Sequence, residues 1–402
     1  MRGHRGERGG IVTIWNSFWI LAALAAAVPV FYPQPFKKLD GAARSFLAVL
    51  SAGLLVVIIF SVHSNTGTPA PLASLAISTE ELKAQQEAAN NLLHHQALAP
   101  VILPDGTREY HLTASAFKRE LYPGMAVEAW GYNHQVPGPL IRLKVGEKVK
   151  FVVRNELPQP TSLHWHGLAV PQNQDGVPGV SQKPIQPGSQ FTYAFTVTPQ
   201  MAGTHLYHTH VRDDLQMNMG LHGVLIVDPA EPSPADAVEG IYEMSSFKIG
   251  KTDQENAFAL NGLAYPNAPA LDVPLGGKVL LRLVNASAEQ SHVMHLHGYT
   301  FTVNALDGNP LAHPYQANTV LLGPSQTADI AFTASNPGSW MFHCHILDHM
   351  INPSSTGVEN DDAACMGGLV TFINVVPKNS VQSAYRSAGS IDSDPVCANP
   401  GR

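Results

Sequence analysis

Four times along this chain two histidines stand with a single residue between them: HWH at His164 and His166, HTH at His208 and His210, HLH at His295 and His297, and HCH at His343 and His345. Few patterns narrow the choice of fold so much. Residues two apart share a face in an extended strand, so each pair presents two imidazoles to one place if the backbone there is β. In the last pair the middle residue is Cys344, which must point to the face opposite His343 and His345. That strand would touch two sites, one on each side, joined by a few covalent bonds.

The rest of the chain agrees with a β reading. Strand signals recur between turns, as KVKFVVRNEL, QFTYAFTV, GVLIVDP, KVLLRLVNAS, TFTVNAL, ADIAFTA and GLVTFINVV. With 33 Gly, 31 Pro and only 14% charged residues, the 402-residue chain suits short strands and many turns better than a helical bundle. The histidine pairs divide the strand-rich part into two similar halves, each the size of one β-sandwich domain. The predicted domains span 100–230 and 236–378, with a tail over 379–402. The Pro- and acid-rich DPAEPSPADAVEG (228–240) reads as the linker between them. Ser78-Thr79-Glu80-Glu81 has the form of a capping box, so residues 67–99 are expected to be a linker whose short helix acts as a spacer.

Two apolar runs precede this part, IVTIWNSFWILAALAAAVPVFY (11–32) and SFLAVLSAGLLVVIIFSVH (45–63), each about long enough to cross a ~30 Å hydrocarbon core. Residues 1–66 are therefore expected to be a membrane anchor of hydrophobic helices, with a signal peptide in the second run as the alternative. Either way the remainder is exported, to the periplasm or the extracellular side. Residues 1–62 carry a net charge of +4 and the remainder −11, so nucleic acid is not an expected partner. The three cysteines, Cys344, Cys365 and Cys397, cannot all pair with one another.

Thirteen of the 19 histidines lie between His164 and His349. A Cys thiolate with two histidines and a weak axial thioether describes a blue-copper site. Cys344 supplies the thiolate, while His349, five residues on, and His292, out of step with His295 and His297, supply the imidazoles. Eight further imidazoles without a thiolate suit copper better than a closed four-ligand structural zinc, and no HExxH motif favours a zinc hydrolase. His134, His205, His222 and His313 are left for structural or surface roles.

Taken together these motifs resemble those of the multicopper oxidases, laccase-like branch. The resemblance covers roughly Met125 to Val376 and runs in the family's order: GYNHQVPGPLIRLKVGEKVKFVVRNEL, HWHGL, QNQDGVPGVSQKPIQPG, AGTHLYHTH, HLHG and HCHILDH. It implies two cupredoxin-like Greek-key β-sandwiches and one type 1, one type 2 and two type 3 coppers per functional unit. By this resemblance His164 and His295 would hold type 2 copper. His166, His208, His210, His297, His343 and His345 would hold the type 3 pair, and His292, Cys344 and His349 type 1 copper. Asp175, in the family's DG motif, resembles the acid that delivers protons, and an Asp-Gly turn is its plainer reading. Asp348 would orient a ligand histidine.

The chain departs from the family's pattern in two places. The position usually held by the axial residue is Ser354, inside the insertion NPSSTGVENDDAAC, so Met366 becomes the axial candidate and Met350 the runner-up. Cys365 and Cys397 could pair or remain thiols. The length leaves room for two cupredoxin domains, and two-domain relatives imply a homotrimer with clusters formed between subunits. The expected reaction draws electrons from a small reducing substrate, phenols or aromatic amines by default, and reduces O2 to water. Cys344, His343 and His345 would form the path between the copper sites. A metal-ion oxidase for Cu(I), Fe(II) or Mn(II) is one alternative, with Asp213, Asp214, Met217 and Met219 as the residues that would favour it. Copper nitrite reductase, which carries its thiolate in the first domain, and a non-catalytic copper carrier are the others.

Overall fold

The computed structural model describes residues 77–230, 237–250, 252–351 and 366–390. The apolar runs at 11–32 and 45–63, Ser354, Cys365 and Cys397 lie outside the described residues. Among the described residues no helix is long and apolar enough to cross a membrane.

Among the described residues, twenty strands form four sheets, two to each half. In the first half, one sheet runs β1 (Val101–Ile102), β2 (Arg108–Tyr122), β5 (Lys148–Asn155) and β7 (Gln190–Thr196), with β3 (Met125–Tyr132) also paired to β2. Its companion runs β4 (Gly138–Lys144), β9 (His222–Asp228), β8 (Gly203–His208) and β6 (His164–His166). In the second half, one sheet runs β11 (Ala257–Leu260), β10 (Ala237–Phe247), β13 (Lys278–Asn285), β18 (Thr327–Thr333), β15 (Phe301–Leu306) and β16 (Asn309–Ala317). The other runs β12 (Leu271–Pro274), β20 (Val370–Val376), β19 (Gly338–Cys344), β14 (His292–Leu296) and β17 (Thr319–Leu322).

The repeat read from the histidines is a repeat of topology. Each sheet contains one parallel pair, β2 with β5 and β4 with β9 in the first half, β10 with β13 and β12 with β20 in the second. Alternating burial, as in KVKFVVRN of β5 and KVLLRLVN of β13, turns one row of each strand into a sandwich core. Phe151, Trp165 and Tyr193 anchor the first core, and Tyr242, Phe301 and Phe342 the second.

The helix α1 (Thr79–Leu93) begins with the expected capping box, Ser78 accepting from the Glu81 backbone and Glu81 from that of Ser78. It is not a free spacer. Leu92 packs in an apolar cluster with Leu140, Leu206 and Val224 of the first half and Ile241 and Val284 of the second, while Leu93 enters the second core. The sequence reading of 228–240 as linker also needs correction at its ends, where Asp228 closes β9 and Ala237 opens β10. Arg142 bonds Asp228 at 2.8 Å and Glu239 at 2.9 Å, and Arg282 bonds Glu239 and, at 2.8 Å, Asp329. Glu239 thereby joins Arg142 of the first half to Arg282 of the second, a role composition alone could not show.

A second polar cluster lies deeper in the seam. His222 of β9 faces Glu243 of β10, both wholly buried. The guanidinium of Arg119 lies 5.1 Å from the Phe247 ring, and burial lowers its pKa to about 10 against the opposing attraction of Glu243.

Candidate metal centres

The strand register places the donors. On β14 and β19, Met294 stands opposite Cys344 and His295 opposite His343. His292 shares the parity of Met294, so His292 and Cys344 turn into the second sandwich while His295 and His343 turn to the other face. One dipeptide, His343-Cys344, therefore serves two groups on opposite sides of one sheet.

The inner group is His292, Cys344 and His349, all buried, with ligand atoms mutually within 4.8 Å. The two Nδ1 atoms are 3.0 Å apart, and Cys344 Sγ is 3.5 Å from Nδ1 of His349. His349 comes from the turn Leu347–Met350, and the Phe258 ring stacks on it with centroids 4.0 Å apart. Burial holds His292 well below its ordinary pKa and lowers His349 to about 4, so both imidazoles are neutral donors near neutral pH. Burial also pushes the Cys344 thiol up, which makes loss of its proton dependent on a cation arriving beside it.

The outer group of the second half is His295, His297 and His343, with His345 beside them at ring distances of 5.6 and 5.7 Å. Nδ1–H of His295 donates to the Asn318 carbonyl at 2.6 Å, and Nδ1–H of His343 to that of Cys344 at 2.8 Å. Those bonds leave the Nε2 lone pairs as the free donors.

The first half builds the matching group on β6 and β8. His164 stands opposite His208, and His164, His166 and His208 hold their ligand atoms within 4.8 Å. His210 follows β8, its ring 5.6 Å from that of His164. Nδ1–H of His164 donates to the Asp175 carbonyl at 2.7 Å, and that of His208 to Thr209 at 2.6 Å. Burial lowers His208 to about 3. Below them, helix α2 (Asp213–Met219) inserts the buried Gln216, whose Oε1 accepts from Thr161 and Thr209.

The two outer groups stay apart within one chain. Among the described residues, every histidine ring contact of these groups joins members of one set, and no group of ligand atoms combines the two. His210 and His345 are exposed, and His164, His166, His295 and His297 are half-buried.

Models of the family described as "Multicopper oxidase" match residues 113–232 and 240–363, together more than half of the chain. The chain belongs to the multicopper oxidase family. Laccase-8 of Oryza sativa subsp. japonica is 30% identical over 272 residues, 60% of this chain and 47% of that relative. The chain thus spans under half the length of the curated laccases it matches. Solved structures are matched over more of their length. The blue copper oxidase of Nitrosomonas europaea shares 32% identity at TM-score 0.61, covering 67% of this chain and 86% of that one. The multicopper oxidase mgLAC shares 33% at TM-score 0.62, covering 72% and 92%.

The donor set fits the family's copper. A buried thiolate with two imidazoles suits a soft, one-electron metal, and the outer groups offer imidazole alone. Of the remaining multicopper oxidase positions, Met366 is half-buried and Gly367 donates to the Met350 carbonyl at 2.5 Å. Leu369 donates to that of His349 at 2.9 Å. Gly368 has φ +55°, and a Cβ there would meet the His349 carbonyl oxygen at 2.2 Å, so only glycine allows this approach. Asp348 is exposed and its charge opposes the lowering of His349. Asp175 holds His164 by its carbonyl, with a carboxylate oxygen 3.4 Å from Nδ1. Sequence reasoning missed Phe258, Ser287 and Gln216, single residues with no periodic signal. It left His222 as a bland residue, whereas His222 is half of the buried seam pair.

Proposed function

We propose that this chain is a laccase-like oxidase that couples four one-electron oxidations of a small reducing substrate, phenols or aromatic amines by default, to reduction of O2 to two waters. The observation that carries this is the junction at His343-Cys344-His345, one strand whose opposite faces serve a thiolate group and an imidazole group. Copper, when bound, would supply the one-electron chemistry at both. His292, Cys344 and His349 would hold type 1 copper and Met366 would be its further ligand, a reading supported by the pinning of Gly367 and Leu369 against Met350 and His349. His164 and His295 would hold type 2 copper, and His166, His208, His210, His297, His343 and His345 the type 3 pair.

The residues' own part is to bind, orient and connect. Cys344 gives up its proton on loading, the carbonyls of Asp175, Thr209, Asn318 and Cys344 fix which imidazole nitrogen faces outward, and Asp175 is the proton-delivering acid. The His343 to Cys344 hydrogen bond adds a second connection to the peptide between the two groups. Copper content with oxygen uptake is the test. Fewer than about four coppers per functional unit, or no oxygen consumption with any phenolic, amine or metal-ion donor, would sink the reading.

Each half-site being open in a single chain supports a homotrimer in which the first sandwich of one subunit meets the second of its neighbour. Mixing a subunit lacking His164 and His166 with one lacking His343 and His345 would then restore oxygen uptake at intact junctions. No recovery on mixing and reassembly argues against shared sites. The runs at 11–32 and 45–63 support a membrane anchor with both sandwiches on the extracytoplasmic side, tested by fractionation with and without residues 1–66. A metal-ion oxidase is less well supported. Met217 is buried and Met219 half-buried, leaving Asp213 and Asp214 as the accessible part of that segment.

A further inference from the structure

Beside the Cys344 group, one buried side chain is neither donor nor apolar packing. That side chain is Ser287. It is buried, with 1% exposure, and its Oγ lies 2.7 Å from Nε2 of His292. Nδ1 of His292 and Nδ1 of His349 converge at 3.0 Å beside the thiol, so both must keep their lone pairs free to share one cation. The proton of His292 then sits on Nε2, and the Ser287 hydroxyl oxygen accepts it.

Ser287 is itself rigidly set. Its backbone N–H donates to Oδ1 of the wholly buried Asn285 at 2.9 Å. Nδ2 of Asn285 donates in turn to the carbonyls of Gln290, Leu322 and Gly323 at 2.8 to 3.1 Å. The first sandwich contains the same turn and serves as an internal control. There Asn155 accepts from the backbone of Leu157 at 2.9 Å and donates to the carbonyls of Gln159 and Ile185. The asparagine-pinned turn is thus kept in both halves. Its third residue is leucine where no cysteine group exists and serine where one does.

We propose that Ser287 is a positioning residue of the thiolate site, fixing the tautomer and ring orientation of His292. This rests on the copper reading of His292, Cys344 and His349. A consequence is that the outer nitrogen of His292 is occupied by a buried protein hydroxyl.

The test uses the full chain loaded with copper, comparing wild type, Ser287→Ala and Ser287→Thr. Readouts are the thiolate-to-copper absorption, its electron paramagnetic resonance and copper affinity at that site by chelator competition. Removing an outer partner of a ligand histidine typically weakens metal binding by ~10–100-fold. We expect a loss of that size and a shifted absorption for Ser287→Ala, with both restored towards wild type in Ser287→Thr. Unchanged affinity and spectrum in Ser287→Ala would overturn the assignment, as would equal loss in both variants, since the threonine keeps the hydroxyl. Wild type without any thiolate-to-copper band would instead refute the copper reading beneath it.

Discussion

His208 and His222 stand directly opposite each other on β8 and β9, yet they serve different ends. His208 belongs to a metal group, whereas His222, one strand further in, meets Glu243 of the other sandwich with no exposure on either side. The wall of the outer metal group is thus also the seam between the two sandwiches. Glu243 faces a buried histidine and attracts the buried Arg119, so truncating it strands a cation in the interior. Glu243→Ala is expected to destabilise the protein by ~3–5 kcal/mol. Urea unfolding of the copper-free protein measures it, and a loss below about 1 kcal/mol would show the seam tolerates the unpaired charge.

The ion pairs at the other end of the seam make a second prediction. The side chains of Arg282, Glu239 and Asp329 are each under 15% exposed, so Arg282→Ala takes the cation from Asp329 beside the carboxylate of Glu239, which keeps Arg142. The expected cost is again ~3–5 kcal/mol. A double-mutant cycle with Asp329→Asn separates their coupling from simple loss of packing, and a coupling near zero would mean the pair is energetically idle.

Replacing Cys344 with serine removes the thiolate and leaves the donors of the two outer imidazole groups in place. Copper retained per chain should fall, the thiolate-to-copper absorption should vanish, and donor oxidation should drop by more than the ~10–100-fold that an outer partner's loss costs. Metal analysis beside optical spectra checks this. An intact absorption in Cys344→Ser would require a different thiolate.

The neutral histidines give the copper-free protein a pH signature. An unfolded histidine titrates near 6.5, whereas burial lowers His208 to about 3 and His349 to about 4, and His292 lies well below its ordinary value. Above pH 6.5 neither state is charged there and the contribution to stability is complete. As pH falls the unfolded chain takes protons the folded one refuses, so stability declines by up to ~1.4 kcal/mol per pH unit for each such histidine. Denaturant midpoints at pH 7.5, 6 and 5 should fall in that order, and a flat profile would contradict the burial of these rings.

Much of the site was legible because strand parity is arithmetic. The spacing of His343, Cys344 and His345 required opposite faces, and His292 could be separated from His295 and His297 by its odd offset. What lay beyond reach depends on distances in three dimensions. Ser287 carries no pattern until its hydroxyl is seen against His292, and His222 alone in a strand looks like any core histidine. The separation of the outer groups within one chain was anticipated only through the resemblance to two-domain relatives, since matching motifs by themselves carry no distance. The helix α1 was found where its capping box placed it, but only Leu92 and Leu93 in their clusters reveal that it wedges the seam.

The backbone clasp at His349 has a design consequence. Gly367 bonds Met350 and Leu369 bonds His349, so the two ends of the 352–365 segment are tied together at its base. The ring of His349 is thus held under Phe258 by a stretch of backbone, Gly367 to Leu369, that carries none of the donors. Gly368→Ala would therefore loosen the thiolate group from its backbone side without removing any of its donors.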